Sequence, residues 1–245
     1  MSKLRKESLL HHQLKILYGG KDGQTEVQIG PYICDCITSD NRVIEIQLGS
    51  FGPLKQKAAY VSNRFPLLVV HPIISRRLIE VYSVQHTLLR SRTSPRKGSP
   101  WDLFSVLIHS TDLIGLPQTT LELLSIDIKE KRIDDGQGSW RRKGVRLVNK
   151  ELLAVHESIQ FSKAADFLPF IPFDVDVSFT TRDFYTACIQ RYEDFKITSR
   201  IATVATPFAY KITYPTTQRA VYVLWKLGII KRIGKQGTRW LYRRF

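Results

Sequence analysis

The sequence has few cysteines, and they do not form a pattern typical of a metal site. Three cysteines occur among the 245 residues. Cys34, Cys36 and Cys188 lack the paired spacing by which zinc sites are recognised. We therefore expect them to pack as small buried side chains, and we assign them no chemistry.

Long apolar runs are also absent. No stretch approaches the roughly 20 apolar residues that a membrane-spanning helix needs, and residues 1–7 lack the apolar block of a secretory signal. We therefore expect no membrane partner and a cytoplasmic location. Hydrophobic residues make up 43% of the chain, which is an ordinary globular composition, so the chain should fold.

Acidic residues are scarce relative to basic residues. The chain has 22 Asp and Glu against 37 Lys and Arg, which gives a net charge of +15. Such a surface favours polyanionic partners because binding releases their counterions, and we predict DNA as the partner. The last thirty residues contain no acidic residue, and their cations are Arg219, Lys226, Lys231, Arg232, Lys235, Arg239, Arg243 and Arg244.

Hydrophobic periodicity and the glycine and proline positions predict several structural units. The first 85 residues have the order helix, three strands, helix, strand, with helices at 2–18 and 54–63 and strands at 25–29, 32–38, 42–48 and 66–70. A continuous apolar strand after a helix is typical of a mixed sheet with flanking helices. We predict an α/β domain at residues 1–85, a basic linker at 86–100, a mixed α+β middle region at 101–175 and a C-terminal domain at 176–245.

Two carboxylates lie on adjacent predicted strands. Asp35 lies within an apolar run, and Glu45 begins the sequence Glu-Ile-Gln that ends at Gln47. Because side chains alternate along a strand, Glu45 and Gln47 are expected on one face. If the two strands form a hairpin, Asp35 can lie beside Glu45. The two carboxylates and a backbone carbonyl then form a hard oxygen site for Mg²⁺, which suits phosphodiester hydrolysis.

Residues 7–70 resemble the PD-(D/E)XK nuclease superfamily, the fold of many restriction enzymes and Holliday-junction resolvases. In that superfamily a helical acidic residue, an Asp and an acidic-x-Lys motif surround a metal ion. The matching positions are Glu7, Asp35, Glu45 and Gln47. The resemblance implies a restriction-endonuclease-like mixed sheet, Mg²⁺ (or Mn²⁺) held by Asp35 and Glu45, attack on phosphorus by a metal-bound water, and support of the site by Glu7.

Gln47 stands where the superfamily motif usually has lysine. A neutral amide cannot be protonated to stabilise the charge that develops on the phosphorane, although it can orient a water. Lys55 or Lys57, in the following helix, could supply the cation, and we predict Lys57. The alternative is a catalytically inactive nuclease-like scaffold within a DNA-binding regulator. His11 and His12 lie on the predicted helix near Glu7, so one of them could point at the same site. We prefer the interpretation of a surface pair, since neither has a spaced metal partner.

Residues 178–245 resemble the winged-helix superfamily, because predicted helices are followed by a basic hairpin. The resemblance implies that the helix at 216–226 enters the major groove of DNA and that the hairpin contacts backbone phosphates. The base-reading candidates are Thr217, Gln218, Arg219 and Tyr222. The phosphate-binding candidates are Lys231, Lys235, Arg239 and Arg243.

A basic segment in the middle region leaves two interpretations open. Trp140, Arg141, Arg142 and Lys143 are consecutive. Trp140 can stack on a nucleic-acid base while the cations bind phosphate, or Trp140 is buried and the three cations form a solvated turn.

These observations predict a DNA-binding, Mg²⁺-dependent endonuclease whose role would fit defence against foreign DNA or repair. The alternative function is that of a winged-helix DNA-binding regulator with an inactive nuclease-like fold. An RNA-binding or RNA-processing protein is a third hypothesis, because it would share the basic surface and the aromatic residues. Cutting both strands with one site per chain would usually require a homodimer.

Overall fold

A computed structural model describes residues 7–198 and 206–244 of the chain. The helices are α1 (Leu9–Gly19), α2 (Lys55–Ser62), α3 (Leu103–Leu107), α4 (Thr181–Thr198) and α5 (Tyr214–Lys226). The strands are β1 (Gln24–Ile29), β2 (Tyr32–Ile37), β3 (Val43–Ile46), β4 (Leu67–Tyr82), β5 (Leu88–Thr93), β6 (Thr119–Asp134), β7 (Val145–Phe161), β8 (Ser178–Thr180), β9 (Ile230–Gln236) and β10 (Arg239–Arg244).

Seven strands form one large mixed sheet. Its order is β1-β2-β3-β4-β6-β7, and β5 pairs with β4 outside this path. β4 is parallel to both β3 and β6, whereas the other pairs are antiparallel. β6 pairs along almost the whole of β4, so β3 and β5 share the other edge of β4, one after the other. These features confirm the predicted α/β class with a mixed sheet and flanking helices.

The segment between the predicted first and second domains belongs to this sheet. Residues 86–100 were expected to form an exposed linker, but residues Leu88–Thr93 form β5 and pair with Leu78–Tyr82 of β4. The prediction of a linker is wrong because the backbone N–H and C=O groups of this polar segment form hydrogen bonds with a neighbouring strand. β6 and β7 of the predicted middle region extend the same sheet.

Local sequence signals explain where the first elements begin and turn. Ser8 caps α1, since its side chain accepts a hydrogen bond from the His11 N–H at 3.2 Å. Gly30 has a φ of +56° in the two-residue turn between β1 and β2, a conformation that glycine adopts readily. A Cβ atom at Gly30 would lie 2.2 Å from the Tyr60 hydroxyl oxygen, so this turn also needs glycine for space.

The large sheet packs on both faces. One face is covered by α1, through Leu10 and Leu14, which pack in a cluster with Cys36. The other face joins a larger core that includes α2, α3 and the C-terminal elements. All three cysteines are buried and free, as expected from the sequence.

The C-terminal elements form a small second sheet with two helices. The sheet order is β8-β10-β9 and both pairs are antiparallel. Thr180 precedes α4. Asp183 Oδ2 accepts hydrogen bonds from the Thr180 N–H and from the Thr180 hydroxyl, each at 2.8 Å, and these bonds fix the start of the helix. The sequence pattern also favours a helix at 197–206, but most of this range lies outside the described residues, which resume at Thr206 after Thr198.

The C-terminal elements share one hydrophobic core with the large sheet. Trp101 and Phe104, just after β5, are buried in the same cluster as Val221 and Leu224 of α5. The Trp101 indole N–H donates a buried hydrogen bond of 2.7 Å to the Pro207 carbonyl. This contact ties the segment before α5 to the segment that leads into α3. None of the helices within residues 7–198 and 206–244 has the length and apolar character needed to cross a membrane.

Candidate functional site

Asp35 and Glu45 lie side by side on β2 and β3. The Asp35 N–H donates to Glu45 Oε1 at 3.3 Å, and the Ile46 N–H donates to Asp35 Oδ2 at 2.7 Å. Each carboxylate is therefore held by the backbone of the neighbouring strand. The hairpin that the sequence predicted brings the two predicted metal ligands together.

Lys57 projects from α2 towards the same place. Its Nζ lies 2.5 Å from Glu45 Oε1, and both side chains are largely shielded from water. Dissolved salt screens an ion pair less in such a shielded position than at the surface. The structure thus places a lysine beside Glu45, as was predicted from its position in the following helix.

Glu7 and two cations of α1 complete a chain of charges. Glu7 Oε1 lies 2.6 Å from His11 Nδ1 and 2.7 Å from Lys15 Nζ. His11 Nε2 lies 3.3 Å from Asp35 Oδ2. Lys15 is buried and also pairs with Glu26. Glu7 therefore reaches Asp35 through His11 and does not contact it directly.

The sequence interpretation of His11 as a surface residue is wrong. Its ring lies between Glu7 and Asp35, and Nε2 is also 3.0 Å from the Ile46 carbonyl oxygen. The i to i+4 spacing of Glu7 and His11 on one helix face was the signal that could have placed the pair together. Lys15, four residues further along that face, was missed for the same reason.

The prediction that Gln47 shares the site with Glu45 is wrong. β3 ends at Ile46, and although the Gln47 N–H still donates to the Val70 carbonyl at 2.8 Å, the chain leaves the strand here. The Gln47 amide donates to the Ser50 carbonyl at 3.1 Å. Its own carbonyl oxygen lies 2.6 Å from His71 Nδ1, and burial lowers the pKa of His71. Gln47 therefore stabilises the loop after β3.

Burial and neighbouring charges act in opposite directions on the pKa values of the cluster. Burial raises the pKa of Glu45 despite the opposing effect of Lys57. Burial also opposes ionisation of Asp35, but its bonds with His11 and the Ile46 N–H hold its pKa below the usual range. Burial alone would lower the pKa of His11, whereas its hydrogen bonds with Asp35 and Glu7 raise that pKa to about 9. At neutral pH His11 is thus a cation facing an ionised Asp35.

The oxygen atoms of this site are of the type that a hard divalent cation prefers. Asp35 and Glu45 supply carboxylate oxygens, and the Ile46 carbonyl oxygen faces the same position, since His11 Nε2 bonds both it and Asp35. No cluster of three or more His, Cys, Asp or Glu side chains in the described ranges is arranged to hold a metal ion. An ion here would depend on two carboxylates, one carbonyl and water, and Mg²⁺ commonly keeps several waters.

All four residues predicted to read DNA bases lie on α5, and three of them are exposed. Gln218, Arg219 and Tyr222 are exposed. The prediction for Thr217 is wrong, because its side chain is 0% exposed and its hydroxyl donates to the Thr213 carbonyl at 3.1 Å. Thr217, Ala220, Val221 and Leu224 form the buried stripe of the helix, at helical spacing that the sequence contains.

The predicted phosphate-binding residues lie on β9, β10 and their connection. Lys231, Lys235 and Arg239 are exposed, and Lys235 Nζ lies 4.7 Å from the centre of the Trp240 ring. Arg243 is half-buried and donates two hydrogen bonds, of 3.2 and 3.1 Å, to the Ser178 hydroxyl. Arg243 therefore links β10 to β8 as well as carrying charge.

The segment from Trp140 to Lys143 lies on the connection between β6 and β7. Trp140 is 83% exposed. The three cations that follow are also exposed. The interpretation in which Trp140 is buried is therefore wrong, because the residue lies in a short turn that projects from the sheet. This segment is separate from the site of Asp35 and Glu45, here called the acidic site, because β6 and β7 meet at the other end of β4.

Comparison with known proteins gives a family and no function. A Treponema pallidum (strain Nichols) protein described as "Uncharacterized protein" is 27% identical over 156 residues, which cover 64% of this chain and 62% of that protein. The chain thus matches less than two thirds of that relative's length. No solved structure matches the chain. Residues 8–162, which include α1, the acidic site and all of the large sheet, match the family described as "Domain of unknown function (DUF8091)", and the chain belongs to this family.

Proposed function

We propose that this protein is a DNA-binding, metal-dependent endonuclease that hydrolyses phosphodiester bonds. The observation that carries the proposal is the contact of Asp35 with Glu45 across β2 and β3, with Lys57 Nζ 2.5 Å from Glu45 Oε1. Two carboxylates held together can bind a divalent metal ion that promotes hydrolysis of a phosphodiester, and the lysine adds a positive charge beside them.

The arrangement of the first elements supports the resemblance to the PD-(D/E)XK superfamily. α1, the β1-β2-β3 meander, α2 and β4 follow one another in the order expected from that resemblance. β3 and β4 are adjacent and parallel. The acidic residues lie where β2 and β3 meet, and the lysine comes from α2 and not from the usual motif position.

The residues of the site have separable roles in this proposal. Asp35, Glu45 and the Ile46 carbonyl would hold Mg²⁺ or Mn²⁺, which when bound supplies Lewis-acid chemistry and neutralises charge on a phosphoryl group. Lys57 places a positive charge beside Glu45 and takes the part of the lysine that Gln47 replaces. Glu7 holds His11, whose imidazole contacts Asp35 and the Ile46 carbonyl oxygen in the absence of an ion.

The C-terminal elements would bind DNA in the manner of a winged helix. The sheet order β8-β10-β9, with α4 and α5 between β8 and β9, supports this assignment. Gln218, Arg219 and Tyr222 on the exposed face of α5 would contact bases. The basic β9-β10 hairpin would contact phosphates. Two copies of the chain would cut both strands of a duplex, in defence against foreign DNA or in repair.

Cleavage of supercoiled and linear DNA in Mg²⁺ or Mn²⁺ tests this function. We expect Glu45→Ala to reduce the cleavage rate by at least about a hundredfold, since even residues around a metal site commonly contribute ten- to a hundredfold. Glu193→Ala, which removes an exposed carboxylate paired with Lys196, is the matched control and should cleave normally. Equal cleavage by both variants would contradict the proposal.

A second candidate is a DNA-binding regulator in which the nuclease-like unit is inactive. Two observations favour it, namely the loss of the motif lysine at Gln47 and the bonding of His11 to the oxygens that would hold a metal ion. Thermal unfolding with and without Mg²⁺ separates the two candidates, because an ion that binds only the folded protein raises its stability. Tight DNA binding without a Mg²⁺ effect and without cleavage would favour the regulator.

A further inference from the structure

Six basic residues surround one concave surface at the end of the large sheet that is opposite the acidic site. They are Arg90, Arg92, Arg132, Arg141, Arg142 and Lys143, here called the basic pocket. The pocket has a volume of about 440 Å³. Its floor is formed by Ile79, Val81 and Val145, a small apolar cluster of its own.

Strand pairing explains why residues distant in sequence meet in the basic pocket. Arg90 pairs with Val81, and Arg92 pairs with Ile79, between β5 and β4. On the other side of β4, Arg132 of β6 also pairs with Val81. Residues directly opposite each other on neighbouring strands project from the same face. β5 and β6 therefore place arginines on both sides of the apolar floor, which is nearly closed to water.

The positive charge of the basic pocket is mostly uncompensated. Arg132 pairs with Glu130, at 2.5 Å. Within residues 7–198 and 206–244, the other five cations of the pocket make no ion pair with a carboxylate. Like charges brought together repel one another and oppose folding. A cluster of this kind is stabilised when a ligand with several negative charges binds.

The turn that carries half of the basic pocket is held in one conformation. Asp135 Oδ2 accepts two hydrogen bonds from the Arg146 guanidinium, at 2.9 and 2.7 Å. The Gly138 N–H donates to the Gly144 carbonyl at 2.7 Å and closes the turn. Lys143 has a φ of +51°, which a residue with a side chain adopts at a cost in energy. The backbone that carries the cations of the turn is thus held by hydrogen bonds.

We propose that the basic pocket binds consecutive phosphates of a nucleic-acid backbone, at a place separate from both the acidic site and α5. Arginine favours phosphate because its planar guanidinium donates paired hydrogen bonds to two oxygens. The exposed ring of Trp140 beside the pocket offers a surface on which a sugar or base can pack. The proposal rests on the proposed function only for the choice of duplex DNA as the ligand.

The basic pocket and the acidic site lie at opposite ends of β4. Glu45 pairs with Val69 at one end of β4, and Arg90 pairs with Val81 at the other. Twelve residues of extended strand separate Val69 from Val81, which corresponds to roughly 40 Å at about 3.3 Å per residue. The basic pocket is therefore a surface separate from the acidic site.

Binding of a labelled 30-base-pair duplex, in the Glu45→Ala background and without divalent ions, tests the proposal independently of cleavage. The variant Arg90→Gln/Arg92→Gln is compared with Lys21→Gln/Lys163→Gln, which removes the same charge from exposed positions outside the pocket. We expect the pocket variant to weaken binding at least tenfold. Its plot of log affinity against log salt should lose about two units of slope, since each phosphate contact contributes about 0.9.

A second variant and a stability measurement keep the test decisive. Arg141→Gln/Arg142→Gln removes two charges from the turn and should give a similar loss of affinity and slope. Relief of repulsion should leave the melting temperature of both pocket variants equal to or above that of the native chain. Equal losses of affinity in the pocket and control variants would reduce the effect to net charge and overturn the proposal. Stronger dependence on the pocket for duplex RNA than for DNA would overturn the choice of DNA.

Discussion

His11 Nε2 lies 3.3 Å from Asp35 Oδ2, so a side chain of α1 directly contacts the middle of β2. The same nitrogen bonds the Ile46 carbonyl oxygen. His11 therefore contacts two of the three protein groups that we propose hold a metal ion. A protonated imidazole in this position and a divalent cation compete for the same oxygens.

Removal of His11 should strengthen binding of Mg²⁺. We expect His11→Ala to lower the dissociation constant about tenfold, equivalent to about 1.4 kcal/mol, because the competing cation is lost. Isothermal titration calorimetry at pH 7 measures the change. His12→Ala is the matched control, since His12 is more exposed and lies 3.6 Å from Glu7 without contacting Asp35. Weaker Mg²⁺ binding in His11→Ala would show that the imidazole supports the ion.

The charge of His11 should also be visible in the pH dependence of the metal-free protein. Its pKa is raised to about 9, from 6.5 in the unfolded chain, because hydrogen bonds with Asp35 and Glu7 outweigh burial. The resulting stabilisation is fully present below pH 6.5 and is lost as the pH rises through about 9. NMR titration of the imidazole should give a midpoint near 9, and Asp35→Asn should move it towards 6.5. A native midpoint near 6.5 would contradict the described contacts.

The buried contact between Trp101 and Pro207 should be important for stability. Trp101→Phe removes the indole N–H and leaves the Pro207 carbonyl without its donor in the core, which we expect to destabilise the protein by about 2 kcal/mol or more. Trp140→Phe changes an exposed ring and should alter the free energy of unfolding by less than about 0.5 kcal/mol. Denaturant unfolding measures both, and equal effects would be inconsistent with the described core.

Two neighbouring residues of α5 should have opposite effects. Thr217→Val removes a buried hydroxyl that donates to the Thr213 carbonyl and should cost about 1 kcal/mol of stability with no change in DNA sequence preference. Gln218 lies on the exposed face, so Gln218→Ala should change the DNA sequence preference and leave the stability nearly unchanged. Unfolding curves and selection from a randomised duplex pool distinguish them. A change in preference caused by Thr217→Val would contradict these assignments.

The predictions that succeeded depended on short-range regularities of the sequence. Asp35 and Glu45 were placed together because a hairpin fixes which residues of its strands are neighbours. Lys57 was found because it lies one turn into the helix that follows β3. The α/β class followed from the alternation of helical and extended patterns in the first 85 residues.

The predictions that failed concerned where strands end and how elements distant in sequence pack together. Gln47 was misplaced because the sequence does not show that β3 ends at Ile46. His11 was misplaced because the position of α1 across the sheet is set by tertiary packing. Arg90 and Arg92 were assigned to a linker, although their alternation around Ser91 is typical of one face of a strand. Their pairing partners lie in the second half of β4. The sequence did not predict that β4 is one continuous strand.

The shared core around Trp101 has a consequence for the geometry of the proposed reaction. Because α5 and the large sheet contribute to the same buried cluster, the helix that would read DNA bases cannot swing relative to Asp35 and Glu45 without exposing that cluster. The number of base pairs between the recognised sequence and the broken bond would then be constant. The folded core, and not the length of the chain before α5, would set the cleavage position. Lengthening that part of the chain would therefore not change where the protein cuts.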